Sequence, residues 1–248
     1  TTDERSPSGH PARARRLLTL ALAPLLVAQG RRVRARTPRL PEPPGARHGE
    51  CGAGPPLAVM FVGDSSIAGV GVATQDEALL GRTLARLEAN RRVRYRLVAR
   101  TGWTTEQAFA RLGEIATERF DFAVTGLGVN DVTSRVPLAL WLGRQRALRE
   151  RLVSRFGVTR VVVSGLPPMA EFPALPQPLR GWLGGIADGL DRALERDVAT
   201  DPRAVFVPLR RFSERATMAA DGFHPGPTLY DEWAARVAEG VLWRAPEA

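Results

Sequence analysis

From Leu57 onward the chain alternates short, nearly uninterrupted apolar runs with longer stretches whose apolar residues recur every three or four positions. Leu57–Val62, Val93–Ala99, Phe122–Leu127, Val158–Ser164 and Ala204–Val207 are apolar runs that read as buried strands. The spacing between them predicts helices near Glu77–Ala89, Thr105–Glu118, Leu138–Phe156 and Leu179–Val198, with a last helix near Thr228–Trp243. In that last helix Leu229, Trp233, Val237 and Val241 recur every four residues and share one buried face. Strand and helix in strict alternation predict an α/β fold, a parallel sheet covered on both sides. A Pro-rich loop, Pro167–Pro178, follows the fourth strand.

The pattern ahead of Leu57 is different. Leu17–Ala28 is apolar but too short for a comfortable bilayer span, and Pro24 interrupts it. With Arg13, Arg15 and Arg16 before it, the segment has the length of a signal-peptide core, whereas Arg31, Arg32, Arg34 and Arg36 directly after it oppose translocation. Peripheral membrane contact as an interfacial helix with basic flanks, and an apolar arm packed on the domain, are the other readings, and the sequence leaves all of them open. Location is equally open: cytoplasmic or membrane-associated is favoured, with export as the alternative. Pro38, Pro41, Pro43, Pro44, Pro55 and Pro56 then predict an extended linker. Residues 1–56 are thus expected to be an extension, and 57–248 a single catalytic domain.

The net charge of +9 raises the question of nucleic acid, and its distribution argues against that partner. Residues 1–56 carry 10 Arg against 4 acidic residues, leaving 25 against 22 for the domain, and lysine does not occur at all. The Arg-rich stretch Arg144–Arg155 reads as a solvated helix face. Cys51 is the one cysteine, so neither an intrachain disulfide nor a cysteine zinc site can form. Of the three histidines, His10 and His48 lie in the extension, leaving His224 as the domain's one imidazole. No metal and no cofactor is expected.

Four short runs carry the chemistry: Gly63-Asp64-Ser65-Ser66, Gly102, Gly128-Val129-Asn130-Asp131 and Asp221-Gly222-Phe223-His224. The first three follow the first three strands, so they converge on the carboxyl edge of the sheet, where open α/β folds bind ligands. A serine hydroxyl needs a base to take its proton, and His224 is the candidate. Asp221, three residues earlier, can reach the ring's Nδ1 proton and fix the tautomer. Attack on an ester carbonyl builds an oxyanion, for which the N–H groups of Ser65 and Gly102 and the side-chain amide of Asn130 are the candidate donors. Read singly, Ser65 would be a helix cap with Ser66 as a rival nucleophile, and Asp64 and Asp131 read better as loop and cap carboxylates than as catalytic acids. Trp103, Trp141 and Trp182 are candidates for an acyl pocket or, more commonly, core.

Together the four runs resemble the SGNH hydrolases, also called GDSL lipases and esterases, over about residues 57–243. The resemblance implies a flavodoxin-like three-layer α/β/α sandwich with a five-stranded parallel sheet. It also implies a triad of Ser65, His224 and Asp221 and an oxyanion hole of Ser65, Gly102 and Asn130, and it departs from the family name at Ser66, where that name has Leu. The implied activity is hydrolysis of a carboxylic ester, of the lipase, esterase or lysophospholipase kind, on a small-molecule or lipid substrate, selected by the Pro167–Pro178 loop with Met169 and Phe172. Acyl transfer from the same site is the near alternative. A phosphate- or nucleotide-binding module, with Gly63–Gly71 at a helix N-terminus, is the distant one.

Overall fold

The structure, a computed structural model, describes residues 10–210 and 218–242, with side chains from residue 21 onward. Arg13, Arg15, Arg16 and the side chains of Leu17–Leu20 therefore lie outside the described side chains, and Trp243 lies beyond the described residues. The elements in chain order are α1 (His10–Arg36), β1 (His48–Cys51), β2 (Pro56–Gly63), α2 (Leu79–Leu87), β3 (Arg92–Ala99), α3 (Thr105–Glu114) and β4 (Phe122–Gly126). After these come α4 (Val129–Thr133), α5 (Leu138–Phe156), β5 (Arg160–Ser164), α6 (Leu179–Val198), β6 (Ala204–Val207) and α7 (Pro227–Leu242), with a 3-10 turn at Met169–Glu171.

The sheet order is β1-β3-β2-β4-β5-β6, and the five strands β3, β2, β4, β5 and β6 run parallel. Apolar residues on both sides of each parallel strand demand two helical layers, and two core clusters supply them. One contains Val59, Phe61 and Val124 with Leu80 and Leu84 of α2 and Trp233 and Val237 of α7. The other contains Met60, Val62 and Ala123 with Leu112 of α3, Leu148 and Leu152 of α5 and Leu183 and Leu190 of α6. The result is the expected α/β/α sandwich.

Two features depart from the expectation of a five-stranded sheet behind a linker. His48–Cys51, within the stretch read as linker, forms a sixth, antiparallel strand on the outer edge of β3, pairing His48 with Arg96 and Cys51 with Val93. This strand covers the backbone groups that β3 would otherwise present as an open edge. Cys51 within it has a thiol pushed up to about 11 by burial and by the nearby carboxylates of Glu88 and Glu50, so it holds its proton at neutral pH.

The second departure is α1, which runs through Pro24 instead of breaking there. Leu22, Leu26 and Val33, four and seven residues apart, turn one face onto the core cluster shared by α6 and the 3-10 turn. Between them Gln29 donates from Nε2 to the Gln177 carbonyl at 2.7 Å and accepts the Leu179 N–H on Oε1 at 3.1 Å, filling the start of α6, where no side chain caps the helix. Among the described residues no helix is long and apolar enough to cross a membrane.

Candidate active site

Ser65 sits two residues beyond β2 because Gly63 lets the chain leave the strand against its neighbours. A Cβ at Gly63 would lie 2.2 Å from Ile67 Cγ1 and 2.6 Å from the Gly126 carbonyl. The loop then closes on itself through Ala68 N–H to Asp64 O at 2.9 Å and Val70 N–H to Ser65 O at 3.0 Å. Helix α2 begins only at Leu79, so the Gly63–Gly71 loop does not open a helix, and the helix-terminus phosphate cradle has no counterpart here. His224 arrives from the other end of the chain. Its loop fits against the serine loop at Gly71, whose φ of +116° and 2.2 Å clearance between a built Cβ and Pro225 O admit no other residue without movement.

Across that contact His224 Nε2 lies 2.8 Å from Ser65 Oγ, and the opposite ring nitrogen, Nδ1, lies 2.5 Å from Asp221 Oδ2. It is Ser65, not Ser66, that meets the imidazole; Ser66 instead accepts the Tyr230 hydroxyl on its carbonyl at 2.9 Å. Asp221 is 5% exposed. Its Oδ1 accepts the N–H groups of Phe223 and His224 at 2.9 and 3.0 Å. Burial pulls this carboxyl upward, but the hydrogen bonds from the His224 ring and from the two backbone N–H groups outweigh it and hold the pKa below the ordinary carboxylate range. The group is therefore an anion aimed at Nδ1, which places the ring proton there and leaves Nε2 as an acceptor.

Gly102 and Asn130 flank the serine. Gly102 holds a φ of +86° with open space where a Cβ would be, so its backbone conformation, not crowding, calls for glycine. Among the described residues no hydrogen bond uses the N–H of Ser65 or of Gly102, and both residues line the same cavity. Asn130, on the short α4, donates from Nδ2 to the Trp103 carbonyl at 3.0 Å and lies 3.5 Å from Asp64 Oδ2. The carboxylates beside the motifs act as loop and cap groups. Asp64 accepts Ser66 N–H at 3.0 Å, and Asp131 accepts both the N–H and the hydroxyl of Thr105 at the start of α3, at 3.0 and 2.9 Å. Burial, with Asp131 nearby, pushes the Asp64 carboxyl up to about 7.

The cavity beyond Ser65 has a volume of about 830 Å³. Leu127, Val129, Leu166, Pro167, Phe172 and Phe223 form part of its wall, and Leu209, Met218, Leu229 and Trp233 another part. Phe172 meets Phe223 edge-on with centroids 5.0 Å apart. Met169, expected beside it, is instead fully buried in the core. Trp141 is also core, its Nε1–H directed to Thr105 Oγ1 at 3.2 Å, and Trp103 and Trp182 pack against the same cluster. Trp233 lines the cavity, which its place on the buried stripe of α7 did not suggest. Arg210 also lines it, but its guanidinium is held by Asp191 and Glu195. Asp191 in turn accepts Leu166 N–H at 2.8 Å and so ties the loops after β5 and β6 together. The Arg144–Arg155 stretch is not simply solvated: Arg149 is buried against Asp197, and Arg151 stacks 3.6 Å over the Phe109 ring.

A parallel α/β/α sandwich with a serine, a histidine and an aspartate in hydrogen-bond succession at its carboxyl edge defines a class of hydrolases acting on ester bonds. The sequence agrees: the profile of the GDSL-like Lipase/Acylhydrolase family matches residues 61–232, and the chain belongs to that family. Similar solved structures include an aryl esterase of M. smegmatis in an inhibitor-bound form, at TM-score 0.59 and 16% identity over 74% of this chain and 97% of that one. A member of the lipolytic G-D-S-L family from Veillonella parvula has a TM-score of 0.58 and 13% identity, with the same 74% and 97% coverage. A carbohydrate acetylesterase from Sinorhizobium meliloti has a TM-score of 0.54 and 16% identity, again over 74% and 97%. No curated protein sequence matches the chain.

Proposed function

We propose that this hydrolase is a serine esterase in which Ser65 is the nucleophile, His224 the general base and acid, and Asp221 the group that orients and charges the imidazole. The observation that carries the reading is the unbroken succession from Ser65 Oγ through His224 to Asp221, at 2.8 and 2.5 Å. In the reaction Ser65 Oγ bonds to the ester carbonyl carbon while its proton passes to His224 Nε2, and the carbonyl π electrons move onto oxygen. The free N–H groups of Ser65 and Gly102, with the Asn130 amide, are the donors assigned to that oxyanion. Collapse of the tetrahedral species breaks the bond to the alcohol oxygen, which leaves with the Nε2 proton. Water, deprotonated by the same nitrogen, then releases the acid and restores Ser65.

The cavity supports a neutral ester with a sizeable hydrocarbon substituent as substrate. An acetyl group would fill only a small part of 830 Å³, and the wall is mainly aliphatic and aromatic. Arg210, a cation on that wall, is already neutralised by two carboxylates, which argues against an anionic substrate. The test is a panel of p-nitrophenyl esters from acetate to decanoate, together with a fluorophosphonate probe mapped by peptide mass spectrometry. Hydrolysis that prefers the longer acyl chains, labelling at Ser65 and its loss in Ser65→Ala are the expected results. An adduct on Ser66, or full activity in Ser65→Ala, would overturn the assignment.

A further inference from the structure

Residues 42–51 precede the region that matches the family, yet they touch two loops of the site. Glu42 Oε1 accepts the Thr101 N–H at 2.6 Å and the Thr101 hydroxyl at 2.9 Å. Its other oxygen, Oε2, takes Arg47 Nη1 at 2.7 Å, and Arg47 also reaches the Ala99 carbonyl at the end of β3. Thr101 immediately precedes Gly102, which lines the cavity and whose N–H makes no hydrogen bond among the described residues. One residue farther along, the Pro43 ring would lie 2.9 Å from a Cβ at Gly69. The Pro44 carbonyl accepts the N–H of Gln75 at 3.0 Å, and buried Gln75 donates on to Ala68 O at 2.8 Å.

We infer that Glu42 is a positioning residue for the oxyanion site: by fixing Thr101 through two hydrogen bonds it sets the direction of the Gly102 N–H. The inference rests on the proposed esterase reading and adds to it a group from outside the matched region. A glycine at φ +86° with nothing packed where a Cβ would be has no side-chain contacts to hold its peptide plane, so the plane is held from its neighbours. On the far side Trp103 N–H bonds to Arg100 O at 3.2 Å, and on the near side the holder is Glu42. The carboxylate is kept below its ordinary pKa; burial raises it, but the Thr101 N–H, Arg47 and the Thr101 hydroxyl lower it further, so the anchor is charged at neutral pH. Charge-assisted bonds of this kind are stronger and more directional than neutral ones. The carboxylate itself does not touch the reacting atoms.

The test compares Glu42→Ala, Glu42→Gln and Thr101→Val with the wild-type full chain, on a p-nitrophenyl ester and against a reversible trifluoromethyl ketone, whose hemiketal adduct with Ser65 presents an oxyanion. Loss of alignment at one oxyanion donor is expected to lower kcat roughly tenfold in Glu42→Ala with KM unchanged, since the donor acts in the transition state. Affinity for the ketone should fall in parallel, and Glu42→Gln, whose amide oxygen can still accept from Thr101, should recover most of both. Thr101→Val, which loses only the hydroxyl bond, should lose about threefold and keeps the question answerable if Glu42→Ala does not fold. Hydrogen exchange gives a readout independent of activity: the Gly102 and Trp103 amides should exchange faster in Glu42→Ala, with β4 unchanged. A lower melting temperature with unchanged kcat and ketone affinity in the folded variants, or a change in KM alone, overturns the inference. The esterase reading fails separately: it falls if the wild type is neither active nor labelled at Ser65, and the present inference then falls with it.

Discussion

Replacing Asp221 by Asn isolates one electrostatic function from the fold, and the hydrogen bonds around the carboxylate dictate how. Oδ1 accepts two backbone N–H groups, from Phe223 and His224, so an asparagine must put its own oxygen there; the reverse orientation would set an NH2 group against two donors. The amide nitrogen then falls at the Oδ2 position, 2.5 Å from Nδ1, and presents a hydrogen to a nitrogen that must now be unprotonated. The ring proton moves to Nε2, which points an N–H at Ser65 Oγ and can no longer take the serine's proton. With the tautomer reversed and the anion gone, kcat should fall by about four orders of magnitude, equivalent to about 5.5 kcal/mol of transition-state stabilisation. Stability should change by only about 1 kcal/mol, because both bonds to Oδ1 survive. Asp221→Ala is the contrast: it strands three donors and should cost a further few kcal/mol of folding free energy at about 1–3 kcal/mol each. Steady-state kinetics on an activated ester and urea unfolding of both variants measure the two quantities. An Asp221→Asn enzyme retaining more than a tenth of wild-type kcat would refute the tautomer argument and place the orienting role elsewhere.

Asn130→Ala should reduce kcat by about two to three orders of magnitude with little change in KM, since its amide is assigned to the transition state; a change confined to KM contradicts that role. Gly71→Ala introduces a Cβ 2.2 Å from Pro225 O and 3.3 Å from His224 Cβ at a φ of +116°, and should push the histidine loop away from Ser65. About 1–3 kcal/mol of lost stability and a loss of fluorophosphonate labelling are expected, and unimpaired labelling would show that the two loops are not held by that contact. Asp64, at about 7, keeps in the folded chain a proton that the unfolded chain releases near pH 4. Folded protein therefore binds more protons between those values, stability falls as pH rises through the window, and Asp64→Asn should shrink the drop in urea midpoint between pH 5 and pH 8.

The parts of the molecule legible from sequence are those where chemistry or burial fixes residue type. The five parallel strands declared themselves as short, mostly apolar runs, and Leu138–Phe156 and Leu179–Val198 match the observed α5 and α6 end for end. Asp221, His224, Ser65 and Asn130, which the structure brings to one edge of the sheet, stood out because each sits in a short run whose glycines meet steric demands, as Gly63, Gly128 and Gly222 show. Strand β1 was not visible: His48-Gly49-Glu50-Cys51 is polar and half-exposed, and it is a strand only because β3 offers it an edge. Glu42 lies in a Pro-rich stretch without periodicity, 59 residues from the threonine it holds. Arg149 looked like one more surface charge because Asp197, its buried partner, lies 48 residues later on another helix. Pro24 marked a break that α1 does not make, and the face on Leu22, Leu26 and Val33 packs against the core cluster.

Tyr230, fully buried on α7, donates its hydroxyl toward the carbonyls of Ser66 and Val70 at 2.9 and 2.8 Å, so the loop that carries Ser65 is fastened by a helix that follows His224. In the order of synthesis this divides the enzyme unequally. A ribosome that has made β2 through β6 has laid down nearly the whole sheet and all three proposed oxyanion donors, Ser65, Gly102 and Asn130, yet neither the proposed base nor the fastening of the serine loop exists. One short stretch, from Asp221 to the end of α7, then supplies the proposed proton acceptor and closes the second face of the core together. Under the proposed assignment, a chain that has not yet grown past His224 holds no base and also lacks the packing of Tyr230 and Trp233 on the sheet, so it should be unreactive towards an activated ester.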